Sequence, residues 1–162
     1  MAHYKGVDYY GIDDLLTEEE RMVRNTVREF VEEKFLPGVG KHYRDGTFPM
    51  EVIPQLGEMG LLGTSIHGYD CAGMNAIVYG LICQELERGD SGLRSFASVQ
   101  SSLVMYPIDA FGTEAQKQKY LPQLAAGKMI GCFGLTEPDY GSNPSGMITR
   151  ARKKGDKYVL NG

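Results

Sequence analysis

The hydrophobic periodicity of this 162-residue chain changes once, near Gly127. Before that point apolar residues recur at helical spacing; after it they alternate. One secondary-structure class cannot absorb both patterns, so the chain divides into a helical domain over residues 1–128 and the start of a β domain over 129–162. The fold class expected is mostly α, with the first strands of a sheet at the C-terminal end.

The helical part is punctuated by caps. Thr17 with Glu20 three residues on is a capping box, Glu18 to Glu20 suit a positive helix end, and Pro37 with Gly38 closes the run. Val23, Val27, Phe30, Val31 and Phe35 form its apolar face, leaving Arg21, Arg24, Arg28 and Glu32 to water. A short helix covers Met50 to Met59, and "IHGYDCAGMN" reads as a loop. From Asn75, "AIVYGLICQELER" is apolar all round for two turns, the mark of a buried helix, and it breaks at Gly89 to Gly92. The next helix carries Leu93, Phe96, Ala97, Gln100, Leu103 and Val104 on one stripe, with Arg94, Ser98, Ser101 and Ser102 on another, and stops at Pro107. Thr113 caps a last helix that ends by Gly127.

Strands are expected at Ile130–Leu135, Met147–Arg152 and Lys157–Leu160, the last two joined by the turn "KKGD". Three short strands cannot bury both faces of a sheet, so the chain reads as cut within its second domain.

Composition narrows the partners. The chain is 42% hydrophobic and 23% charged, and no apolar run approaches the ~20 residues a membrane span needs. A net charge of -4 with scattered Lys and Arg argues against nucleic acid. Cys71, Cys83 and Cys132 form no CxxC, and His3, His42 and His67 have no ligand spacing, which points to a reducing compartment and no metal. The N-terminus has neither a signal core nor the look of a transit peptide. The expectation is a cytoplasmic protein if bacterial, or otherwise one of the mitochondrial matrix. "GVGKHY" lacks the third glycine of a dinucleotide loop and follows a helix rather than a strand.

Two clusters carry chemistry. Arg94, Ser98 and Ser101 recur at i, i+4, i+7, so a guanidinium and two hydroxyls can converge on one anion; the same spacing also describes a solvated face. Glu87, seven residues before Arg94, is either its partner or a surface glutamate. In "GCFGLTEPDYGSNPSG" a strand delivers Thr136 and Glu137 to a glycine-loosened loop with Ser142. That loop is either an ordinary turn or a cradle for a flat polar ring or a phosphate.

The stretches "GCFGLTEPDYGSNPS", "ELERGDSGLRSFASVQSSLVMYPI" and "FGTEAQKQKYLPQLAAGKMIGCFGLTEP" resemble the acyl-CoA dehydrogenases, most closely the glutaryl-CoA dehydrogenase branch, from about Leu16 to Gly162. The resemblance implies an N-terminal helical domain, a barrel-like middle β domain and a C-terminal helical bundle, with FAD between them and a homotetramer as the usual assembly. It implies that Phe133, Gly134, Leu135 and Thr136 lie along the flavin, and that Gly141 and Ser142 meet the cofactor's phosphate side and the acyl-CoA. Arg94, Ser95 and Ser98 match positions that hold a distal substrate carboxylate, with Glu87 a neighbouring acid.

The implied reaction is oxidation of the α,β bond of an acyl thioester, here glutaryl-CoA to crotonyl-CoA plus CO2, with electron-transfer flavoprotein as partner. The family's catalytic glutamate lies in the C-terminal bundle, so no residue of this chain is assigned as catalytic. Asn143 stands where the family often has Asp, Asp70 interrupts the usual Gly-rich loop, and no Trp is present. The rival readings are a dehydrogenase for a monocarboxylic short-chain acyl-CoA and a non-catalytic helical module.

Overall fold

In the computed structural model, residues 7–162 are described, and they form two compact units divided between Cys132 and Phe133. His3 and the first part of the N-terminal segment lie outside the described residues.

In the first unit, a 3-10 turn (Ile12–Leu15) leads into α1 (Glu18–Phe30). The capping box forms as the sequence requires. Thr17 Oγ accepts from the Glu20 amide at 3.2 Å and the Glu20 carboxylate accepts from the Thr17 amide at 2.9 Å. The run does not close at Pro37. It passes through a π turn (Val31–Phe35) into α2 (Leu36–Asp45), with Pro37 in the first turn of α2. Pro37 has no N–H to donate, while the amide before it, that of Leu36, still bonds the Val31 carbonyl five residues back. The wider π turn absorbs the break.

α3 (Val52–Glu58) follows. Gly57 lets it approach the end of the last helix: a Cβ at this position would lie 2.6 Å from the backbone carbon of Ala126. The segment read as a loop holds a two-residue hairpin, β1 (His67–Gly68) with β2 (Cys71–Ala72), turned by Tyr69 and Asp70 at φ 53° and 62°. Positive φ at both central positions suits the twist of a tight hairpin, and the Tyr69 hydroxyl donates to Glu114 at 2.9 Å, tying the turn down.

Asn75 caps α4 (Ala76–Gly89) through the Val78 amide, and Asp90 caps α5 (Ser91–Ser98) through the amides of Gly92 and Leu93. A second π segment (Val99–Met105) carries α5 into α6 (Tyr106–Phe111), so Pro107 opens a helix instead of ending one. α7 (Glu114–Ala125) starts from a Thr113–Gln116 capping box.

α4 is the hub, with α1 and α5 along it. Val27, Val31, Phe35, Ile82, Leu86 and Leu93 are among the buried side chains of the core. Arg24 and Arg28, expected in water, are respectively buried and half-buried. Arg24 pairs with Asp13, and Arg28 donates to the fully buried Glu85 of α4. Ser101, placed on the polar stripe, is 6% exposed, while Leu103 of the apolar stripe is 42% exposed. The π segment inserts one residue per turn and moves the inward face on by one position.

Across the division between the units, residues 130–136 pair with no strand among the described residues, against the expectation for Ile130–Leu135. A strand is stabilised by its ladder, and among the described residues none is offered here. Glu137 and Tyr140 form an isolated bridge, and a 3-10 turn covers Pro144–Gly146. β3 (Arg150–Lys154) pairs antiparallel with β4 (Lys157–Asn161), in the register Arg150 to Asn161.

Candidate substrate and cofactor sites

The helical unit builds a polar seam between α4 and the helix that follows it. Tyr79, Cys83 and Glu87 recur every fourth residue on one face of α4; Arg94, Ser98 and Ser102 do the same from α5 into the π segment. Arg94 Nε donates to Glu87 at 2.6 Å and its Nη1 to Ser98 Oγ at 3.4 Å. Ser91 donates to the other Glu87 oxygen at 2.6 Å, and Ser98 to the carbonyl of Ser95 at 3.2 Å. At the far end the hydroxyls of Tyr79 and Ser102 are 2.9 Å apart. Glu87 is thus the partner of Arg94, which resolves the alternative left by the sequence.

Electrostatics follow from these contacts. The Ser91 hydroxyl, and then Arg94, hold the Glu87 carboxyl below the usual carboxylate range. Glu87 raises Arg94 in turn, so the guanidinium stays charged. Burial pushes the Cys83 thiol and the Tyr79 phenol up, keeping both neutral. Among the described residues two of the five N–H donors of Arg94 are used, and 36% of its side chain is accessible. The seam therefore presents a fixed, charged donor group that can still receive a carboxylate.

Ser101 turns away from this face: its hydroxyl accepts from the Gly63 amide at 2.9 Å inside the fold. It drops out of the anion group proposed from spacing. Tyr79 and Cys83 join the seam unpredicted, although their spacing back from Glu87 was a signal for both.

In the second unit, Phe133 and Leu135 are 50% and 39% exposed, and Thr136, Gly141 and Ser142 are also exposed. No group of Cys132 to Thr136 forms a hydrogen bond among the described residues, and a Cβ at Gly134 or Gly141 would meet nothing within 4 Å. Two apolar side chains, a hydroxyl and unpaired backbone donors on an open segment fit the requirements of a flat ring with a polar edge. Glu137 does something else. Its carboxylate accepts from the amides of Ile148 at 2.8 Å and Thr149 at 2.9 Å, and these bonds lower its pKa. It clasps the loop that carries Gly141 and Ser142.

Among the described residues no group of three or more His, Cys, Asp or Glu side chains is placed to hold a metal ion, and no helix is long and apolar enough to cross a membrane.

Residues 17–128 match the model of the acyl-CoA dehydrogenase N-terminal domain. The chain is 41% identical over 150 residues to YngJ of Bacillus subtilis, described as a probable acyl-CoA dehydrogenase, covering 91% of this chain and 39% of that protein. Among solved structures it is similar to a glutaryl-CoA dehydrogenase from Mycobacterium smegmatis in complex with FADH2, at 53% identity and a TM-score of 0.92, covering 94% of this chain and 40% of the other. It is also similar to butyryl-CoA dehydrogenase from Megasphaera elsdenii, at 35% identity and a TM-score of 0.82, over 96% and 41% of the two chains. The chain belongs to the acyl-CoA dehydrogenase family and contains that family's N-terminal helical domain. It spans about two fifths of the length of the relatives it matches.

Proposed function

We propose that the chain supplies the substrate-selecting helical face and the first flavin-contacting segment of an FAD-dependent acyl-CoA dehydrogenase, with glutaryl-CoA as substrate. In this reading residues 1–128 are the helical domain and 129–162 open the middle β domain, the boundary being placed by the change in periodicity at Gly127. The observation that carries the substrate assignment is the Glu87–Arg94–Ser98 group, a charged guanidinium fixed on two sides with donors to spare.

A monocarboxylic acyl-CoA has no distal charge for this group to meet. A dicarboxylic one does, and Arg binds a carboxylate through two parallel N–H bonds. Glu87 holds the guanidinium plane, while Ser95 and Ser98 offer hydroxyls beside it. On the other unit, Phe133 and Leu135 would lie against the flavin ring, with Gly134 leaving room for its approach. The Thr136 hydroxyl would reach the polar edge, and Gly141 and Ser142 the phosphate side and the acyl-CoA. FAD, when bound, supplies the two-electron oxidation of the α,β bond. No residue of this chain is assigned the proton abstraction. Decarboxylation of the product, a homotetrameric assembly and electron-transfer flavoprotein as the electron acceptor belong to the same proposal, supported by the likeness to glutaryl-CoA dehydrogenase.

The test is a substrate panel on the full-length protein, read as bleaching of flavin absorbance and as CO2 release. Glutaryl-CoA should outrun butyryl-CoA and release CO2. Equal use of both, or a preference for butyryl-CoA, would favour the monocarboxylic reading that the Megasphaera neighbour represents. A colourless preparation that binds no FAD would leave only a helical binding module.

A further inference from the structure

Gln100 lies in the apolar interior at 1% exposure, and both donors and the acceptor of its amide are in use. Nε2 donates to the carbonyls of Leu124 at 3.1 Å and Met129 at 2.8 Å; Oε1 accepts from the Gly131 amide at 3.0 Å. Bonding the carbonyl of one residue and the amide two positions on is what a residue of a parallel strand does to its neighbour. The carboxamide of Gln100 thus stands in for one strand residue opposite Ile130. One helical turn further on, Val104 floors the same seat, because a Cβ at Gly131 would drive into its side chain.

This is the last anchor before the open segment, since no group from Cys132 to Thr136 forms a hydrogen bond among the described residues. A slip of one residue would move every side chain of the segment on by one place, so that Gly134 would stand where Phe133 or Leu135 does. We infer that Gln100 is a positioning residue for the cofactor: by gripping Met129 and Gly131 it sets the register in which the Phe133–Thr136 segment meets FAD. This inference rests on the reading that the segment contacts FAD.

The experiment uses the full-length protein, stripped of flavin and titrated with FAD, alongside amide exchange and thermal unfolding. Gln100→Met keeps the length and apolar fit but removes the grip. It should speed exchange of the Gly131 amide and weaken FAD binding by about tenfold or more, the range in which groups that orient first contacts act. The Tm of the apoprotein should fall by less than about 5 °C, since helix packing is retained. Gly131→Ala should weaken FAD binding through its collision with Val104, and Gly131→Ala combined with Val104→Ala should restore it. The inference is overturned if Gln100→Met frees the Gly131 amide yet leaves FAD affinity unchanged, or if the double substitution binds FAD no better than Gly131→Ala. Wild-type protein with a protected Gly131 amide but no FAD binding would overturn the functional reading, and the inference with it.

Discussion

Glu85 has no exposed surface, yet its carboxylate receives Arg28 at 2.9 and 2.7 Å, Arg88 at 3.1 Å and Gln84 at 3.2 Å. Burial pushes its pKa up, but the hydrogen bonds and charge of Arg28, together with the hydrogen bonds of Arg88 and Gln84, outweigh that and leave it lowered. A carboxylate lowered in the folded state contributes stability at pH above its ordinary value and loses it as pH falls through the folded one. Unfolding by urea should therefore become easier as acid titrates Glu85, and Glu85→Ala should flatten that part of the pH dependence. At neutral pH the same variant should cost about 3 kcal/mol, the low end for breaking a buried pair, because both arginines stay partly in water. A loss under 1 kcal/mol would show that the pair is not a structural tie. This network was invisible locally. Arg28 and Glu85 are 57 residues apart, and an arginine on a helix looks solvated until its partner is known. The stronger hint was Glu85 itself, a lone acid on the inward face with Val78, Ile82 and Leu86.

The helix starts at Thr17 and Thr113 were legible because caps are local; Asn75 and Asp90, not read as caps, act in the same way, each of the four accepting backbone amides two or three residues on. Helix ends at Pro37 and Pro107 were not, because a π turn before each proline admits it without stopping the helix. The phase shift that results can be checked. Met105→Ala should destabilise the chain by about 2 to 5 kcal/mol and Leu103→Ala by far less, the reverse of what an unbroken helical stripe beginning at Leu93 implies. Similar losses at both positions would contradict the π segment. In the loop after Thr136, the lowered pKa of Glu137 makes the clasp on Ile148 and Thr149 a high-pH feature. The amide proton shifts of those two residues should move together as pH falls below the ordinary glutamate value and through the lowered folded one. Glu137→Gln should abolish the transition. Shifts that stay flat in the wild type would rule out the clasp.

At the scale of the molecule, the periodicity change near Gly127 announced a helical part with a β part to follow, and a capped helical unit followed by the β3–β4 hairpin is what forms. The strand foreseen at Ile130–Leu135 does not form, because among the described residues its ladder-like partner is the side chain of Gln100 alone, a contact that no local pattern encodes. The polar seam between α4 and α5 was half legible. Glu87, Arg94 and Ser98 come together as their spacing allowed, and Ser101 departs with the π shift.

In the proposed function Arg94 recognises a second carboxylate. The most direct test is the ratio of kcat/KM for glutaryl-CoA to that for butyryl-CoA in full-length wild-type protein and in Arg94→Ala. The ratio should fall by at least about 30-fold, the low end for losing one charge-assisted contact, with butyryl-CoA little affected. A ratio unchanged by the substitution would contradict the assignment of Arg94 and, with it, of glutaryl-CoA as substrate.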